Sequence, residues 1–77
     1  MYWRKERDDY GRTVHALKAD TGRTLGVVVK HPLLKKGDPN AYWYNRWDVP
    51  FDTPVEIKIK HFTNLKDAKT ALEGATK

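Results

Sequence analysis

Near its carboxyl end the chain alternates apolar and charged residues, Val55-Glu56-Ile57-Lys58-Ile59-Lys60, and then enters an amphipathic helix beginning near Asn64. Nothing else in the sequence constrains the fold as strongly. Successive side chains of a strand point to opposite faces, so Val55, Ile57 and Ile59 are expected to face a core while Glu56, Lys58 and Lys60 face water. Asn64 stands where an N-cap belongs, with Asp67 three residues later in a capping-box arrangement built from shorter side chains. Leu65, Ala68, Leu72 and Ala75 then recur at helical spacing and form one apolar stripe. The expectation is a strand over 55–61 leading into a helix over 65–74 that covers one face of a sheet.

Turn chemistry divides the rest of the chain into short strands. Asp9-Tyr10-Gly11-Arg12 separates a strand over 2–8 from one over 13–19, and Asp20-Thr21-Gly22-Arg23 separates that one from a third over 24–30. Each turn has a glycine available for positive φ. Residues 33–40 hold two lysines, a Gly-Asp-Pro sequence and no period, and are expected to project as a loop. A strand rich in aromatics follows over 41–48, and the two prolines of residues 49–54 exclude that segment from a central ladder. Gly26, inside a strand, marks a bulge or a close backbone approach. The fold class is therefore α+β: an antiparallel sheet of four to five short strands in one domain over residues 1–77, with one carboxy-terminal helix packed on one face.

Composition limits what such a domain holds. A chain of 77 residues buries only about 60–65% of the surface exposed on unfolding, which leaves no room for a deep enclosed pocket. Nine aromatics supply much of the buriable area. Without cysteine there is neither a disulfide framework nor a thiolate metal site, which fits a reducing compartment and makes the cytoplasm the expected location. The amino-terminal residues lack the apolar stretch of a signal peptide, and no run is long enough to span a membrane. His15, His31 and His61 are scattered without metal-ligand spacing, and Lys35-Lys36-Gly37-Asp38 lacks the glycine array of a phosphate-binding loop. No catalytic residue, metal site or cofactor is expected.

The net charge is +5, and most of the excess falls within residues 13–40, where five cations face two carboxylates. Arg23, Lys30, Lys35 and Lys36 are candidates for a positive rim that attracts phosphates or an acidic protein surface, against the plainer account of a solvated surface. Tyr42-Trp43-Tyr44-Asn45-Arg46-Trp47 is the most distinctive local run. As a strand it places Trp43, Asn45 and Trp47 on one face and Tyr42, Tyr44 and Arg46 on the other. In one reading the tryptophans complete the core beneath the helix, with the tyrosines in cross-strand pairs. In the other, Tyr42, Tyr44 and Arg46 form a recognition surface, since tyrosine and arginine stack on bases and anchor interfaces. Trp3, Lys5 and Arg7 share a face of the first strand and are candidates to extend a phosphate-contacting surface, against the plainer account, with Glu6, Asp8 and Asp9 diluting the patch, of an edge protected by charge against pairing.

The segments Thr21-Gly22-Arg23-Thr24-Leu25-Gly26 and Phe62-Thr63-Asn64-Leu65-Lys66-Asp67-Ala68, with a tryptophan strand between them, resemble small sheet-plus-helix proteins of bacteriophage genomes. They also look like the arm-type DNA-binding domains of phage tyrosine recombinases and the plant ethylene-response-factor domain. The resemblance covers roughly residues 13–75 and rests on generic structural cues. It implies a sheet that lies in the major groove of DNA with the helix behind it, and, for a phage protein, a place in the host cytoplasm. Two readings of function follow. One is a non-enzymatic nucleic-acid-binding module, DNA favoured over RNA, in which Arg23, Lys30 and Lys35 hold phosphates while Tyr42, Tyr44 and Arg46 touch bases. The other is a phage-type protein that binds and modulates an acidic host protein through its sheet face or the 33–40 loop. Either acts as a monomer or as a dimer formed through an edge strand.

Overall fold

The structure, a computed structural model, describes residues 1–76. Strands β1 (Tyr2–Arg7), β2 (Thr13–Lys18), β3 (Thr24–Lys30) and β4 (Tyr42–Arg46) are followed by a single helical turn, α1 (Val55–Lys58), then β5 (Ile59–Phe62) and helix α2 (Leu65–Ala75). The strands form one antiparallel sheet in the order β1-β2-β3-β4-β5, and α2 packs against it, which is an α+β architecture. The first two connections are tight turns with Gly11 and Gly22 at φ of 78° and 89°. Asp8 organises the first of them by accepting from the backbone N–H groups of Tyr10 and Arg12 through one carboxylate oxygen.

The alternating run at residues 55–60 departs from the expected strand. Val55–Lys58 closes into a helical turn after Pro54, whose carbonyl accepts from the N–H groups of Ile57 and Lys58 at 3.0 and 3.2 Å. The cause lies in the neighbouring strand. The β4–β5 ladder runs from Tyr42↔Phe62 to Asn45↔Ile59, and beyond Arg46 the chain is tied to β3 instead, with the Trp47 N–H donating to the Leu25 carbonyl. A strand carried back over residues 55–57 would run past Arg46, the last residue of β4, with no ladder to join, so the backbone satisfies its hydrogen bonds locally. Val55 and Ile57 are accordingly 61% and 48% exposed rather than part of the core. His61, in phase with Ile57 and Ile59 by simple alternation, is exposed on the sheet face turned away from α2, its ring 6.1 Å from that of Trp43.

Helix α2 is capped as its sequence requires. Asn64 Oδ1 accepts from the Asp67 N–H at 2.8 Å, and the Asn64 side-chain amide donates back to the Asp67 carboxylate at 3.0 Å. Its buried residues, Ala68 and Leu72, meet Leu17, Leu25, Val28 and Tyr44 in the main core. Small residues let the layers approach closely. At Gly26 a Cβ would lie 2.9 Å from the Asn45 carbonyl oxygen and 3.0 Å from Leu72 Cδ1. The register between β2 and β3 also shifts here, from Leu17↔Gly26 to Lys18↔Thr24, and Leu25, the extra residue, joins the core beneath α2.

A second apolar layer occupies the opposite sheet face, where Val14, Ala16, Val27 and Val29 cluster with Trp43 against them. This reverses the expected assignment of the aromatic strand: Tyr44 lies under the helix at 3% exposure, and Trp43, Asn45 and Trp47 do not. Period two separates the faces of a strand without saying which one the helix covers. β3, buried from Leu25 to Val29, is apolar toward both sides and gives no discrimination. The Tyr44 phenol, opposite Val28, keeps its hydroxyl in reach of water, since no buried side-chain polar atom lacks a partner among the described residues.

Candidate nucleic-acid interface

The residues singled out from the sequence do not form one surface. Tyr44 is in the core, its ring 5.7 Å from that of Phe62. Arg46 is committed to Asp48, with Nε 3.0 Å from Oδ1 and Nη2 2.9 Å from Oδ2, so its guanidinium fork is already filled. That pair raises the pKa of Arg46 and holds the Asp48 carboxyl below its usual range, the hydrogen bond from Arg46 outweighing burial. Tyr42, Tyr44 and Arg46 thus do not make an exposed platform, because α2 covers the face they share. Arg23 and Lys30 stand at opposite ends of β3, separated by roughly 20 Å at about 3.3 Å per residue. The proposed rim is therefore split. Lys30 instead anchors the following loop by donating to the carbonyl oxygens of Leu34 at 2.7 Å and His31 at 3.3 Å.

Lys36 and Tyr42 do come together, with partners that sequence reasoning missed. A groove of about 640 Å³ beside the first turns of α2 is lined by Lys36, Tyr42, Lys66, Lys69, Trp3 and Glu73, among others. Three different parts of the chain build it. The Gly37 N–H donates to the Thr63 carbonyl at 2.9 Å, which pins the 33–40 loop to the residue before the helix cap and sets Lys36 beside the start of α2. Lys66 and Lys69 project from the helix one and four residues after Leu65, flanking its buried stripe. Tyr42 opens β4, half-buried against the core beneath α2. Reading the helix face next to Leu65, Ala68 and Leu72 would have found Lys66 and Lys69.

The electrostatics of the groove favour an anion. Among the described residues no ion pair engages Lys36, Lys66 or Lys69, whereas on the opposite face Arg12 is paired with Asp8 at 2.7 Å and Lys18 with Glu6 at 3.3 Å. The Lys69 ammonium lies 5.0 Å over the Trp3 ring, and the indole N–H of Trp3 donates to the Glu73 carboxylate, which holds that wall in place. Burial, then the charges of Lys69 and Lys5, lower the pKa of His15 nearby. An anion entering the groove would meet fixed positive charge with one carboxylate, Glu73, at its margin.

The opposite face is chemically different. A hollow of about 490 Å³ has Val14, Val27, Val29, Trp43 and Trp47 along it. Trp43 is flanked by His31 and His61 with ring centroids 6.3 and 6.1 Å away. In the 33–40 loop Leu33 is 86% exposed, while Leu34 is half-buried. Among the described residues there is no grouping of three or more His, Cys, Asp or Glu able to hold a metal ion, and no helix is long and apolar enough to cross a membrane. Comparison of the chain with protein-family models, with curated proteins and with solved structures yields no match.

Proposed function

We propose that this protein is a non-enzymatic nucleic-acid-binding module whose phosphate-contacting surface is the groove beside α2, with Lys36, Lys66 and Lys69 as the cations and Tyr42 as the aromatic contact. The observation that carries the reading is the convergence of three lysines with no ion pair among the described residues, drawn from a loop and a helix, on one groove with an aromatic side chain. Lysine at such a position neutralises phosphate and releases condensed counterions, so affinity depends on salt. With Lys35 at the same loop and a net charge of +5, the surrounding field assists encounter. DNA is the favoured nucleic acid, on the resemblance to phage and plant DNA-binding domains.

The test is fluorescence anisotropy of labelled oligonucleotides at about 50 and 200 mM salt. Three phosphate contacts predict a loss of roughly 20- to 40-fold in affinity across that range, and Lys66→Ala should lower the salt slope by about 0.7 to 0.9. Absence of binding at tens of micromolar at the lower salt rejects the reading.

A second reading is favoured by a separate observation. Trp47, Phe51, Val55 and Ile57 are 57%, 97%, 61% and 48% exposed within one short segment, and Leu33 is exposed on the loop. Large apolar side chains displayed in this way suit a protein partner, as in a phage-type protein that modulates a host protein. Capture of a partner that is lost on Phe51→Ser, with no nucleic-acid affinity, would favour this reading over the first.

A further inference from the structure

From the same groove we infer a preference for unpaired nucleic acid: it takes a single strand, with one base stacked on Tyr42 and the flanking phosphates held by Lys36 on one side and Lys66 and Lys69 on the other. This rests on the proposed nucleic-acid function and adds the class of strand. Two aromatic rings line the groove. Lys69 covers the face of Trp3 at 5.0 Å and Glu73 takes its N–H. Trp3 therefore positions Lys69 rather than offering a platform. Tyr42 has no side-chain hydrogen bond among the described residues and keeps part of its surface open to the groove.

A half-buried ring between a loop lysine and two helix lysines has particular consequences for a duplex. In a duplex each base face is already occupied by its neighbours, and only edges and phosphates remain at the surface. An unpaired nucleotide offers a free π-face, which stacks on an aromatic side chain irrespective of sequence, while its phosphates follow the cations. The alternative of a sheet laid against a duplex groove finds little support in the open face. Its floor is Val14, Val27 and Val29, and Arg12 and Lys18 at its margin are taken by Asp8 and Glu6. α2 is also a poor reading helix for a duplex, since Asp67 and Glu73 share it with Lys66 and Lys69.

The decisive experiment titrates the full chain into one labelled sequence, as a single strand and as its duplex, at about 50 mM salt, beside Tyr42→Leu and Tyr42→Phe. The expected result is single-strand affinity at least several-fold above that of the duplex. Tyr42→Leu should weaken single-strand binding by roughly tenfold and so narrow the gap between strand and duplex, and Tyr42→Phe, which keeps the ring, should retain the parent's preference. Circular dichroism verifies that the leucine variant is folded; if it is not, the parent's strand preference and the phenylalanine variant decide. Equal or tighter duplex binding overturns this inference and leaves the nucleic-acid reading standing. Failure to bind either form overturns both.

Discussion

Gly26 lies directly beneath Leu72. A Cβ on residue 26 would come within 3.0 Å of Leu72 Cδ1 and 2.9 Å of the Asn45 carbonyl oxygen, and the second of these is backbone that cannot swing away. Gly26→Ala is therefore expected to lift α2 from the sheet and cost about 1–3 kcal/mol, the usual range for overpacking. For a domain of this size each 1 kcal/mol corresponds to about 4–8 °C in Tm, so a thermal melt resolves it. An unchanged or raised Tm would mean that the layers are not in contact at this point.

Tyr44 is a structural residue. At 3% exposure beneath α2, its replacement by alanine should cost about 3–5 kcal/mol, as for other large aromatic-to-alanine truncations. Tyr44→Phe should be close to neutral, because the hydroxyl has no side-chain partner in the core. Urea denaturation of the two variants separates these expectations. Equal stability of Tyr44→Ala and the parent would place the ring at the surface.

The Asn64 cap is expected to contribute about 1 kcal/mol through its bond to the Asp67 N–H. Asn64→Ala should lose this amount, whereas Asn64→Asp should retain most of it. Asn64→Ala also loosens the turn that sets Lys66 in the groove, so on the proposed function nucleic-acid affinity should fall in parallel with helix content measured by circular dichroism.

Asp48 gives the acid limb of the stability profile. Its folded-state pKa is depressed, first by the hydrogen bond from Arg46, so the unfolded chain binds the proton more readily. The stabilisation is present above the ordinary carboxyl pKa of 3.8 and is lost as pH falls through the lowered value. Asp48→Asn should cost about 1–3 kcal/mol near neutral pH, and the difference from the parent should vanish in strong acid. A difference independent of pH would assign the effect to packing.

His15 acts in a higher window. It pairs across the ladder with Lys5 and is depressed below its ordinary 6.5, first by burial and then by the positive charges of Lys69 and Lys5. With the folded value lowered, the contribution of the neutral ring is complete above 6.5 and is lost as pH falls between that value and the folded one. An NMR titration should place its midpoint below 6.5, and Lys69→Gln should move it only part of the way back because burial remains. A midpoint at or above the ordinary value would show that His15 is solvated.

How much of this was legible in the sequence depends on how local the deciding interaction is. The turns at Gly11 and Gly22, the exclusion of Pro50 and Pro54 from the ladder and the Asn64 cap are set within a few residues, and the sequence carried them. Period-two alternation at residues 55–60 was just as regular, yet a strand exists only where a neighbour offers hydrogen bonds, and β4 ends at Arg46. The facing of the aromatic strand was equally hidden. Tyr42 and Trp43 differ by one position, and which of them faces α2 is set by the packing of Ala68 and Leu72 on Leu17, Leu25 and Val28, residues far apart in sequence. The groove joins Lys36 to Lys66 through a backbone bond between Gly37 and Thr63, which no spacing rule encodes.

Every strand in the sheet lies beside the one made immediately before it, so the β-layer can zip up hairpin by hairpin as the chain leaves the ribosome. The excursion between β3 and β4 closes where the His31 N–H meets the Ala41 carbonyl at 2.7 Å. Lys36 rides on that excursion, whereas Lys66 and Lys69 arrive last, on a helix that cannot dock until the sheet beneath it exists. Until α2 docks, Lys66 and Lys69 are not held beside Lys36, so on the proposed function the groove is assembled only after the sheet beneath it has formed.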